Sequence, residues 1–162
     1  MAEIPLTRGM VALVDDEDVP LLAGYKWHAT WSDKWYARAM LPREEGRKKT
    51  VFMHRLLMPG VRQVDHKNGD GLDNRRSNLR PATSSQNGGN RAKLSKVTTS
   101  AYKGVSIAAR LRPTWQAAIK FGDRSKHLGY FPTEAAAAFA YNEAARAQWG
   151  EYAKLNVIEA TP

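Results

Sequence analysis

Residues 64–87 constrain this chain more than any other stretch. They begin Val64, Asp65, His66, Lys67, Asn68, Gly69, Asp70, pass through Asn74, Asn78, Leu79 and Arg80, and end on Gln86 and Asn87. Neighbouring side chains on a strand point to opposite faces, so Asp65 and His66 cannot serve one partner from a flat strand. Asn68 with Gly69 and Asp70 with Gly71 are strong turn formers, which sends the short apolar run ending at His66 into a hairpin or compact loop. The segment 74–80 reads as a second short strand or turn anchored by Leu79. Ser84 and Ser85 precede a short polar helix that carries Asn87 inward.

In this order and spacing the residues resemble the HNH endonucleases of phage and intron homing type, with Asn78, Leu79, Arg80 and Thr83 completing the pattern. The resemblance implies His66 as general base, Asp65 and Asn87 as metal ligands, and Asn78 as the central motif residue that steadies the loop and His66. Many members carry histidine at the last position, where this chain has Asn87. A neutral amide oxygen is a weak, hard ligand that suits Mg2+ or Mn2+ rather than zinc. The chemistry asks for these residue types. An imidazole titrates near neutral pH and can take a proton from water, and a divalent ion can neutralise charge on a phosphate and on a departing oxygen.

Composition sets limits on partners. The 162 residues hold 25 Lys and Arg against 16 Asp and Glu, a formal net charge of +9 that favours a polyanion, most simply double-stranded DNA. With no cysteine, disulfides and Cys-bound zinc are excluded. No apolar run is long enough to span a membrane and no secretory pattern opens the chain, so a monomeric intracellular protein (host cytoplasm, nucleoid-associated) is the expectation.

Upstream of the motif, residues 4–6 and 10–14 read as two short strands joined by a turn at Arg8 and Gly9. Asp15, Asp16, Glu17 and Asp18 precede Val19 and Pro20, and the simplest reading is that Asp15 or Asp16 caps a short helix. Trp27, Trp31, Trp35, Tyr25 and Tyr36 lie in strand-like sequence. Core packing accounts for Trp27 and Tyr36, with base stacking by one tryptophan as the sharper alternative. Residues 43–49 read as a charged loop, and 50–58 as a strand running into a short helix. His54 has two readings, a phosphate contact or a packed structural histidine.

Between Arg75 and Lys103 the chain carries seven basic residues and no acidic one: Arg75, Arg76, Arg80, Arg91, Lys93, Lys96 and Lys103. With Gly88, Gly89 and a Ser- and Thr-rich run inside it, this segment reads as a DNA-tracking region whose linker spans 91–101.

The remainder has a different grammar. Three short strands over 104–131 precede a helix over 134–149 capped by Thr133, with Ala136, Ala137, Ala140 and Ala144 as a small-residue face. Tyr102, Lys103, Gly104 and Val105, then Trp115, Ala117 and Ile119, then His127, Leu128, Gly129 and Phe131, with Gly150 and Asn156, resemble the plant Apetala (ethylene-response-factor) DNA-binding domain. The resemblance implies that the sheet enters a major groove, with Lys103, Arg110, Arg112, Trp115, Lys120, Arg124 and Lys126 on the DNA face. Ser106 and Ala108 stand where the plant proteins have arginines, so the plant target sequence does not transfer.

The expected fold class is therefore α+β. An N-terminal ββα-metal (HNH, His-Me finger) nuclease module over 1–90 is followed by the linker and by a three-stranded antiparallel sheet packed on one helix over 102–158. The expected function is metal-dependent cleavage of DNA phosphodiester bonds at a site held by the C-terminal domain. The alternatives are a non-catalytic DNA-binding regulator with a degenerate nuclease fold and, less well supported, an RNA-processing nuclease.

Overall fold

Alternation starts the chain off. In the computed structural model, which describes residues 1–44, 47–93, 99–108 and 114–158, strand β1 (Ala2–Pro5) pairs antiparallel with β2 (Val11–Val14) around a 3-10 turn at Thr7–Gly9. Ala12 and Val14 turn into the core while Val11 stays at the surface, the period-two pattern of a half-buried strand. The contacts within the chain divide it into two units, Met1–Ala82 and Thr83–Pro162.

In the first unit a 3-10 turn at Asp16–Asp18 leads into helix α1 (Val19–Leu22). Neither cap carries a side-chain hydrogen bond. The acidic run therefore does not cap, contrary to expectation, and its carboxylates bind a distant arginine instead, as described below. Strands β3 (Trp27–Trp31), β4 (Trp35–Glu44) and β5 (Arg47–Phe52) form an antiparallel sheet in that order. Much of the segment expected as a charged loop at 43–49 is thus strand, extended by cross-strand pairing that a local reading of charge does not register. Helix α2 (Met53–Leu57) follows directly. Trp27, Ala37, Ala39, Met53, Leu57 and Leu79 share one core with Ala12, Val14 and Leu22. Trp27 also donates its indole N–H to the Leu22 carbonyl (3.1 Å), so its polar edge is satisfied in the interior. The unit closes with β6 (Val64–His66) antiparallel to β7 (Leu79–Pro81).

The second unit begins with helix α3 (Ser84–Gly89), started by a capping box: Thr83 accepts from the Gln86 backbone while the Gln86 side chain accepts from Thr83. The nuclease module was expected to run to residue 90, whereas this helix groups with the C-terminal unit. Gly89 allows that packing, because a Cβ there would stand 2.6 Å from the Trp149 ring, and Trp149 donates to the Ser85 hydroxyl (3.0 Å). Strands β8 (Val105–Ile107), β9 (Trp115–Phe121) and β10 (Arg124–Phe131) form an antiparallel sheet with β9 in the centre. Helix α4 (Glu134–Trp149) packs on it. Thr133 caps it by accepting from Ala136, as expected. Its deepest stripe is Ala137, Tyr141, Ala145 and Trp149, at four-residue spacing, with Ala138 beside it. Ala136, Ala140 and Ala144 flank that stripe half-buried. The large rings at 141 and 149 decide which way the helix turns, because they have the most apolar surface to bury.

Candidate active site

The β6–β7 register places Asp65 opposite Arg80 and His66 opposite Leu79. Arg80 Nε donates to Asp65 Oδ2 at 2.9 Å, and Nη2 lies 2.9 Å from the same oxygen. Both residues are buried, 4% exposed for Asp65 and 7% for Arg80. Arg80 was expected on the DNA face; it serves instead as the internal partner of a carboxylate that could not stand unpaired in this interior.

The connection between the two strands is held by three asparagines. Asn78 donates to the Asn68 side-chain oxygen (3.1 Å) and the Asp73 carbonyl (2.7 Å), and accepts from the Asn68 backbone (3.0 Å). That is a brace for the loop, and the Lys67 N–H adds a bond to the Asn78 carbonyl. Asn74, fully buried, spends its amide N–H groups on the carbonyls of Leu72 (3.1 Å) and Gly71 (3.5 Å). Its oxygen therefore faces the His66 ring, 3.4 Å from Nε2. With the amide oxygen on that side, the contact suits a proton on Nε2. Asn74 belongs to the motif, yet its contact with His66 has no signal in the sequence beyond its spacing.

His66 is 2% exposed. The imidazole is enclosed by other rings. His54 meets it edge-on at 5.1 Å, Tyr36 lies 5.9 Å away, and His54 itself stacks on Phe52 at 5.5 Å. Gly71 presses against this group, since a Cβ there would stand 2.7 Å from the Tyr36 ring. Burial is the main cause that lowers the His66 pKa below its usual value, and Lys34 adds to it, while the Asn74 hydrogen bond and the Asp65 and Asp70 charges oppose. His54 is driven down to about 3, first by burial, then by His66, Arg55 and Lys34. His54 is packed among the rings of Tyr36, Phe52 and His66.

The other arginines of the motif loop are also engaged. Arg75 forks onto Asp73 (Nε to Oδ1 2.8 Å, Nη2 to Oδ2 2.6 Å). Arg76 grips the buried Asp18 (Nη2 to Oδ1 2.6 Å) and donates its backbone N–H to Asp15. Each pairs with a carboxylate within the unit while its side chain stays partly exposed.

In the second unit Asn87 sits half-buried on α3, its N–H bonded to the Thr83 carbonyl (2.9 Å). The donors that the motif offers a metal are thus one carboxylate and one amide oxygen. Each is a hard oxygen donor of the kind a divalent ion such as Mg2+ takes, and Arg80 is already bonded to one Asp65 oxygen. Among the described residues no group of three or more His, Asp or Glu forms a metal cluster.

Of the second unit's predicted DNA contacts, Lys103 points inward. Its ammonium donates to the Gly89 (2.8 Å) and Arg91 (2.7 Å) carbonyls over the rings of Tyr141 and Trp149, and burial, then Arg91 and Lys154, lower its pKa to about 8. Lys93 donates to the Ser100 carbonyl, and Arg91 is exposed. Trp115 packs against the core beside α4. Ala117 and Ile119 face that helix, so alternation turns Gln116, Ala118 and Lys120 to the open side with their partners Ser106, Tyr130, His127 and Ser125. Arg124 and Lys126 pair with Phe121 and Ile119, which puts them on the helix side of the edge strand, exposed. Arg110 and Arg112 lie outside the described residues.

Residues 58–88 match the family model described as HNH endonuclease. The chain is also similar to an uncharacterized HNH endonuclease of Acanthamoeba polyphaga mimivirus, 29% identical over 152 residues, which is 94% of this chain and 78% of that protein. No solved structure matches the chain. Among the described residues no helix is long and apolar enough to cross a membrane. Motif, loop and family model coincide on one stretch: residues 58–88 match the HNH endonuclease model, and with the similar viral protein this supports a DNA-cleaving hydrolase.

Proposed function

We propose that this protein is a metal-dependent DNA endonuclease in which His66 is the general base, Asn78 and Asn74 position it, and Asp65 and Asn87 hold Mg2+ or Mn2+. The observation that carries the reading is the His66 imidazole itself, with Nε2 turned to the Asn74 oxygen and its pKa lowered chiefly by burial. In the reaction a water gives its proton to the His66 imidazole as its oxygen bonds to phosphorus. The bond from phosphorus to the 3′-oxygen breaks, leaving 5′-phosphate and 3′-hydroxyl ends. The ion, when bound, supplies charge neutralisation at the phosphate and at the departing oxygen. The enclosure of His66 means that duplex binding must part the rings over it before a phosphate reaches the base.

The C-terminal module over 102–158, of Apetala type, holds the site, with Lys120 on the open sheet face, Arg124 and Lys126 along its edge, and Arg91 in the linker over 91–101 tracking phosphates. A monomer with one centre nicks one strand per binding event. Phage or mobile-element origin and intracellular action accompany this reading as homing-type expectations.

The test is His66→Ala on supercoiled plasmid with Mg2+ or Mn2+. Cleavage falls by about 10²–10⁴-fold, the usual contribution of a general base, while duplex binding persists, and the wild type accumulates open circles before linear product. The burial of Asp65 against Arg80 favours a second reading, a DNA-binding regulator that no longer cuts. It would be established by a wild type that binds duplex yet cleaves none in either metal.

A further inference from the structure

We propose that Lys34, between β3 and β4, is a phosphate-binding residue of the nuclease site and holds a DNA backbone phosphate beside the His54–His66 pair. The inference rests on the nuclease reading above. Lys34 Nζ lies 5.9 Å from the centre of the Tyr36 ring, and that ring stands 5.9 Å from His66 and 5.8 Å from His54. One tyrosine thus links a half-buried cation to both imidazoles. The Tyr36 hydroxyl donates to Asp33 (3.2 Å), and the Ser32 N–H bonds to the Lys34 carbonyl (3.0 Å), so the tight turn that carries the lysine is tied on both sides.

The cations of the motif loop, and Arg55 of α2, are engaged. Arg75, Arg76 and Arg80 are neutralised by Asp73, Asp18 and Asp65. Arg55 donates to the carbonyls of Val61 and Arg62, and Lys67 to that of Ser77. Among the described residues no carboxylate lies within ion-pair distance of Lys34. A phosphodiester brought to His66 needs a cation to offset its charge, and an ammonium on a flexible stem meets a phosphate as a point charge with three donors. Nothing in the sequence marks this lysine. It lies thirty-two positions before His66 (66 minus 34) and outside every motif.

The test compares Lys34→Gln and Lys34→Arg with the exposed-lysine control Lys26→Gln, in the full chain, by duplex binding against salt in a His66→Ala background and by cleavage in the His66 background. The expected result for Lys34→Gln is a loss of about 0.9 in the slope of log K against log salt, one phosphate contact. With it goes a fall in kcat/KM of about ten- to hundredfold, the span of one charge-assisted hydrogen bond. Lys34→Arg recovers most of both, and Lys26→Gln leaves kcat/KM within about twofold. An unchanged salt slope and unchanged cleavage in Lys34→Gln overturn the proposal, as does an equal loss from Lys26→Gln, which would reduce Lys34 to general charge. If the wild type cuts no duplex, the nuclease reading fails by itself, and the binding arm still decides whether Lys34 contacts phosphate. A melting curve for each variant separates misfolding from lost contact, and Lys34→Arg failing to rescue a folded protein counts against the assignment.

Discussion

The two units keep very different interiors. Among the described residues the first buries Asp18, His54, Asp65, His66, Asp73 and Arg80 together with Asn74 and Asn78. The second buries only neutral polar groups, Asn90, Ser100 and Asn142, beneath an alanine-rich helix. There Asn142 is satisfied by two bonds to the Asn156 backbone (2.9 and 2.8 Å), a clamp on the C-terminal segment and no source of charge. The difference teaches where chemistry was accommodated. A charged interior is costly to desolvate and must be paired throughout, so it is found where function requires ionisable groups at fixed positions. The second interior is a scaffold, with Lys103 turned inward onto carbonyls and rings as its cation.

The comparison can be broken most directly at Arg80. Arg80→Ala strands the Asp65 carboxylate in the interior, and chemical denaturation is expected to show a loss of about 3–5 kcal/mol, the cost of removing one partner of a buried pair. A loss below about 1 kcal/mol would mean that Asp65 readily finds water, and that the first interior is wetter than its burial implies.

Acid sharpens the contrast. His54 titrates at about 3 in the folded chain against an ordinary 6.5. Above pH 6.5 it is neutral in both states. Between 6.5 and 3 the unfolded chain takes the proton and the folded chain does not, so stability falls as pH falls, by up to about 1.4 kcal/mol per pH unit from this group. His66, lowered for the same reason, adds in the same direction. Amide exchange between pH 7 and 4.5 is expected to show protection lost in Met1–Ala82 before Thr83–Pro162. Simultaneous loss would show that the two interiors do not respond separately.

The smallest effect is expected on the open sheet face of the second unit. Lys120→Ala changes stability by less than about 0.5 kcal/mol, as exposed substitutions usually do, while the salt slope of duplex binding falls by about 1. An unchanged slope would remove Lys120 from the DNA face.

What could be read from the chain divides along the same line as what is local. The strand at His66, the turns at Gly69 and Gly71, the helix bearing Asn87 and the cap at Thr133 each depend on residues within a few positions of one another. The basic run from Arg75 to Arg80 has partners that a local reading does not register. Its charges look free in sequence because the carboxylate that holds Arg76 lies 58 residues away, and the one that holds Arg80 lies 15 away across a register. The sheet face depends on register in the same way. Arg124 and Lys126 look like neighbours of Lys120, yet pairing with Phe121 and Ile119 turns them to the other side.

The amino-acid sequence alone determined the motif, the residue types of its chemistry and the order of elements, because turn chemistry, capping and periodicity act over short spans. Only the tertiary structure decided which cations are engaged, which nitrogen of His66 meets Asn74, and that Tyr36 and Lys34 stand beside it. Those are outcomes of packing and electrostatics between distant segments, where burial makes every charge find a partner and leaves functional charge only where no partner is offered.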